Sequence, residues 1–108
     1  MAATVTLSTT AATLQTTNQP FGANVMADEF ELVYLSGTDV LYFTTDTNVT
    51  PTVAGAGAYA LRPGERLEGL NFADATGNTT GQTFKAISTT AVTYQLAIPH
   101  RTRRRRTK

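Results

Sequence analysis

"EFELVYLSGTDVLYFTT", residues 29–45, sets the fold class. Phe30, Leu32 and Tyr34 recur at every second position, the period of a strand that lays one face on a core. "SGT" (36–38) interrupts the run, and Gly37 supplies a turn conformation that other residues resist. "DVLYFTT" (39–45) then returns, so the stretch predicts a β-hairpin. Both faces of the returning strand are apolar, as expected where one sheet face meets a partner.

The flanks keep this character. The chain holds 22 threonines, β-branched residues that suit strands with one face in water. Upstream, "TVTLS" (4–8) and "ATLQT" (12–16) are short strand candidates, followed by an irregular connection broken at Pro20 and Gly22. Downstream, "DTNVTPTVAGAG" (46–57) reads as an exposed loop and "AYAL" (58–61) as a short strand, ended by a turn at Pro63-Gly64. In "RLEGLNF" (66–72), Leu67 is out of step with Leu70 and Phe72; a bulge at Gly69 would bring all three to the core side. Residues 73–81 form a second loop. A last pair, "TFKAIS" (83–88) and "AVTYQLAI" (91–98), is joined near Thr89 and Thr90.

No long stretch repeats at 3.6, so the reading is all-β: a small antiparallel β-sandwich or barrel of seven or eight strands. The predicted core is Phe30, Leu32, Tyr42, Leu67, Leu70, Phe84, Tyr94 and Leu96. Loops 46–57 and 73–81 are expected to be exposed and tolerant of insertion. Pro99 cannot donate a ladder bond and should end the sheet. The organisation is thus one domain, 1–99, followed by a basic C-terminal arm, 100–108.

Apolar residues make up 41% of the 108, but fifteen of them are alanine, while Val, Ile, Leu and Phe together number 23. A core this thin favours a partner that covers further surface. Self-association is expected, a trimer above all, through the two-sided apolar strand 39–45. The formal charge of +1 hides a division. Residues 1–100 hold eight carboxylates against Arg62, Arg66 and Lys85, whereas Arg101, Arg103, Arg104, Arg105, Arg106 and Lys108 crowd the end. An asymmetry of this kind marks a basic arm for a polyanion or an acidic surface.

Signals for chemistry are weak. Without cysteine there is neither a disulfide framework nor a thiolate metal site. His100 stands alone beside arginines, too isolated for a metal centre or a nucleophilic triad. Asp28, Glu29 and Glu31 form one carboxylate group and Glu65 and Glu68 another, more in keeping with charged strand edges than with an acid–base pair. "DTN" (46–48) lacks the glycine and final glutamate of a calcium loop. No aromatic next to basic residues forms a stacking platform, so nucleic-acid contact is expected through the arm only. A sugar-binding module would need exposed aromatics, which the pattern does not locate. These readings predict no enzyme, cofactor, metal, small-molecule substrate or membrane span. With no apolar leader at its start, the chain is expected to be made in the cytoplasm.

"ELVYLSGTDVLYFTTD", "YALRPGERLEGL" and "FKAISTTAVTYQLAI", spread over residues 29–98, resemble small virion proteins of tailed bacteriophages, above all capsid decoration (cement) proteins. The resemblance lies in the order of a Gly turn, a Leu-x-Pro-Gly-Glu turn and a closing strand pair. It implies a β-sandwich located in the virion that binds the major capsid protein or another virion protein and strengthens the shell. A head–tail connector, tail or fibre component, or a genome-contacting protein, are the other roles the same style allows. The Arg-rich arm departs from the family's usual pattern. Read by its chemistry, it is a candidate site for an acidic protein surface or for phosphate, because the planar guanidinium pairs with either.

Overall fold

The computed structural model describes residues 4–22, 29–55, 58–72 and 82–98. Eight strands are present: β1 (Thr4–Ser8), β2 (Gln15–Asn18), β3 (Phe30–Ser36), β4 (Leu41–Thr44), β5 (Tyr59–Leu61), β6 (Arg66–Leu70), β7 (Thr83–Ile87) and β8 (Thr93–Ala97). There is no helix among the described residues. The strands form two four-stranded antiparallel sheets, β1-β8-β3-β6 and β2-β7-β4-β5, so the all-β class holds and the architecture is the sandwich.

One rule generates both sheets. β1 pairs with β8, β2 with β7, β3 with β6 and β4 with β5. In Thr4↔Ala97, Thr16↔Lys85, Val33↔Arg66 and Leu41↔Leu61 the two residue numbers add to nearly the same total. The chain is therefore one long hairpin that turns at the β4–β5 connection. The double strand is then rolled up so that β8 also meets β3 and β7 meets β4. Eight strands in this order are a jelly roll.

The rolling overturns the expected local pairings. β3 and β4 do not form a hairpin: they belong to different sheets, and Gly37 carries the chain around the corner between them. The pair expected at 83–98 is split the same way, β7 in one sheet and β8 in the other. Only β4 and β5 are both consecutive in sequence and hydrogen-bonded. Strand "ATLQT" is also displaced: Ala12 sits at a φ of 54° and β2 begins at Gln15.

The core lies between the sheets. From one come Phe30, Leu32, Tyr34, Tyr94 and Leu96, and from the other Leu41, Phe43, Leu61, Phe84 and Ala86, all buried. Five of the eight expected core residues are thus fully inside. Leu67 and Leu70 are half-buried, because β6 is an edge strand with no neighbour on its far side. Tyr42 is also half-buried and faces outward, while Leu41 and Phe43 take the inner positions. The bulge expected at Gly69 is present. Phe30 pairs with Leu70 and Leu32 with Leu67, one extra residue on β6, and Gly69 has a φ of 75°.

Side-chain bonds lock the corners. Tyr34 Oη donates to the Asp39 carbonyl at 2.6 Å, and Ser88 Oγ to that of Val40 at 2.8 Å. Thr9 clasps the β7–β8 corner: its N–H donates to Val92 O at 2.9 Å and its hydroxyl accepts from Val92 N at 3.1 Å. Tyr94 Oη spans the two sheets to Gln15 Oε1 at 2.6 Å.

Gly37 and Gly69, two of the glycines with positive φ, should respond differently to substitution. A Cβ on Gly37 would meet Tyr34 Oη at 2.6 Å, on top of a φ of 140°, so Gly37→Ala should cost about 3 kcal/mol or more. At Gly69 nothing lies within 4 Å, and Gly69→Ala should cost only the backbone term, about 1–2 kcal/mol. Urea denaturation of both variants checks the order. Burial also pushes the Tyr94 phenol well above its ordinary value of 10. The unfolded chain ionises first, so stability should be flat below about pH 10 and fall above it. In Tyr94→Phe that alkaline loss should be shallower, at a cost near neutrality of about 1 kcal/mol for the lost bond to Gln15. Denaturation series at several pH values would reveal it.

Candidate functional site

Antiparallel alternation sorts the connections. The four short ones, 9–14, 37–40, 62–65 and 88–92, lie at one end of the sandwich. The strand ends that flank the three long ones, 19–29, 45–58 and 71–82, lie at the other, where β1 starts and β8 stops. At that end Ala97 stands between Thr4 of β1 and Glu31 of β3. The sequence runs on from there into the basic segment. Arg101, Arg103, Arg104, Arg105, Arg106 and Lys108, with His100, lie outside the described residues.

Most of the described charges are used locally. Arg66 Nη2 bridges Glu31 Oε2 at 2.7 Å and Glu68 Oε2 at 2.9 Å on the outer face of the β1-β8-β3-β6 sheet. Glu31 and Glu68, one member of each carboxylate group seen in the sequence, thus meet at one guanidinium, while Asp28 lies outside the described residues. Glu65 is elsewhere: its Oε1 accepts from Arg62 N at 2.8 Å and its own N–H donates to Arg62 O, which closes the Pro63-Gly64 turn. Asp39 Oδ2 accepts from Thr89 Oγ1, and Asp46 Oδ1 accepts from Asn48 N at 2.9 Å, an Asx turn. Among the described residues no three His, Cys, Asp or Glu gather where they could hold a metal ion.

Residues 46–55 are largely exposed, as expected of this loop, yet the segment is held against the outer face of the second sheet. Register places Tyr42, Thr44, Lys85 and Ile87 together on the outer face of the second sheet. Thr44 and Ile87 are nonetheless buried, as is Pro51 of the loop. Gly55 rests on the Tyr42 ring, where a Cβ would approach Cε1 to 3.0 Å. Lys85 Nζ fastens the strap, donating to the carbonyls of Thr47 at 2.7 Å and Val49 at 3.0 Å. The chain thus covers part of this apolar face itself. The second expected loop, 73–81, lies outside the described residues.

Two features escaped the sequence reading. Tyr59 lies on the core side of edge strand β5, 5.7 Å from the Phe43 ring, yet is 65% exposed. Gln82 is buried with its Nε2 unpartnered, while its backbone carbonyl accepts from Gln19 N at 2.7 Å. Neither has a local signature, since an edge position and a buried amide are set by tertiary structure. No family model, curated protein or solved structure matches the chain.

The arrangement is a sandwich with an acidic excess, joined in sequence to a run of guanidinium groups. Guanidinium groups can pair with carboxylate or phosphate by charge-assisted, bidentate hydrogen bonds.

Lys85→Met tests the strap. Loss of the ammonium leaves two carbonyls without their donor, so stability should drop by about 1–3 kcal/mol. Hydrogen exchange and protease cleavage within 46–55 should rise while the strand amides stay protected. A loop whose protection is unchanged would show that Pro51 packing alone holds it.

Proposed function

We propose that this chain is a capsid decoration (cement) protein of a tailed bacteriophage. In this reading it is a non-enzymatic virion component that docks on the assembled shell and strengthens it. The observation that carries the reading is the division of charge. Within the described sandwich, Arg66 and Lys85 serve as internal ties, whereas six cations follow the last strand in eight residues. The partner is an acidic surface of the major capsid protein or another virion protein, met by Arg101, Arg103, Arg104, Arg105, Arg106 and Lys108. Arginine outnumbers lysine five to one there, which suits directional pairing with carboxylates better than a diffuse field. Two further points support the reading: the likeness of residues 29–98 to short phage virion proteins, and the jelly roll, an architecture that recurs in viral capsid domains. The second is fold-level analogy, because lectins and cupins share the architecture.

Deleting residues 100–108 should leave the sandwich folded by circular dichroism and weaken binding to DNA-free shells in a pelleting assay. Raising the salt should weaken the full chain in the same way, since exposed charge pairs are screened. Undiminished shell binding by the truncated chain would make the arm a bystander. Binding of the full chain to naked DNA, with a log–log salt slope of about −5 and no affinity for empty shells, would assign the arm to the genome instead.

A further inference from the structure

The four edge strands are not equally protected. β6 carries Arg66 and Glu68 and is bent by the Gly69 bulge, two devices that discourage another strand from adding on. β5 is three residues long and β2 four, too short to template much pairing. β1 has none of these defences. It is five residues long, carries no charge or proline, and pairs with β8 without a register shift from Thr4↔Ala97 to Ser8↔Thr93. Alternate N–H and C=O groups along its far side therefore point away from the sheet in a straight row.

We propose that β1 is a self-pairing edge, and that two copies of the chain join their β1 strands antiparallel about a two-fold axis through Thr6. What selects a second copy as the partner is the symmetry of the strand itself. An antiparallel self-pair centred on Thr6 sets Thr4 opposite Ser8, Val5 opposite Leu7 and Thr6 opposite Thr6. Hydroxyl meets hydroxyl on the outer face and aliphatic meets aliphatic on the inner face. Thr4, Thr6 and Ser8 are exposed, whereas Val5 and Leu7 are half-buried against the core and would gain cover from their counterparts. The same pairing already occurs on the strand's other side, where Ser8 Oγ and Thr93 Oγ1 lie 3.2 Å apart. With no charge on the strand, nothing repels the second copy. This surface is separate from the C-terminal arm, and the inference does not rest on a role in the virion.

Sedimentation velocity of the full chain over a concentration series tests it, with a reversible dimer expected. Thr6→Lys and Thr6→Glu each place like charges opposite one another at the axis and should raise the dissociation constant roughly tenfold or more. Residue 6 is exposed, so both variants should keep the wild-type circular dichroism. Mixing the two should restore a 1:1 dimer, which separates an interface effect from a folding defect. Deleting residues 100–108 should leave the dimer intact. A monomer throughout the series, an odd-numbered oligomer, or dimerisation of either variant as tight as wild type would overturn the proposal. So would two monomeric variants that fail to associate when mixed, or self-association that disappears with the arm.

Discussion

Phe84 is the contact on which the sandwich closes. It sits on β7, a central strand of one sheet, and its ring stacks on Phe43 of the neighbouring strand at 5.6 Å. Across the gap it meets Tyr94 at 5.6 Å and Phe30 edge-on at 6.3 Å, both on the opposite sheet. Phe30 in turn stacks on Phe72 and meets Phe21 edge-on, so the cluster continues from mid-sandwich to the end with the long connections. A large aromatic in such a position is worth about 3–5 kcal/mol, a large share of the roughly 5–15 kcal/mol that holds a small domain together. The remaining core is aliphatic and thin. The sandwich therefore depends on bonds at its corners as much as on its interior.

Those corner bonds explain why the chain rolls instead of folding hairpin by hairpin. Alternation tells each strand which face to bury and says nothing about which neighbour to take. A hairpin around Gly37 would bury the same rows, Phe30-Leu32-Tyr34 and Leu41-Phe43, as the corner that forms. The choice falls to groups far apart in sequence: Ser88 on the Val40 carbonyl, Thr9 on Val92, Thr89 on Asp39. Each ties one turn of the long hairpin to another. A large part of the ordering thus rests on contacts between distant residues, the kind that closes late in folding.

The same reasoning accounts for what could be read beforehand. Strand positions were legible, because Thr-rich runs bounded by Gly and Pro leave little else to form. The Gly69 bulge was legible too, since one phase shift between Leu67 and Leu70 admits few remedies. The partner of each strand was not, and neither was the inner face of "DVLYF", where Val40, Leu41, Tyr42 and Phe43 offer both faces an apolar row. The face turned outward needed a cover, and Gly55 supplies part of it by packing closely on Tyr42. Glycine there reads as looseness; in the fold Gly55 permits close approach. For the site, the sequence located the charge division and no more. Arg66 as the meeting point of two carboxylate groups follows only from the β3–β6 pairing.

The two proposed surfaces bear on one another through β8. That strand lies beside β1, and its last residue, Ala97, pairs with Thr4. In a dimer built on antiparallel β1 strands the two copies of β8 also run in opposite directions, so the two basic segments begin at opposite ends of the shared ladder. In such a particle the two described chain ends that lead into the basic segments point to opposite poles. Two modest contacts held in a single rigid body act at high effective concentration, provided that the spacing of the targets matches. A lone arm would merely tether a domain to an acidic surface. Paired arms set apart by a double sandwich would link two such surfaces, which is what the proposed role of strengthening a shell requires.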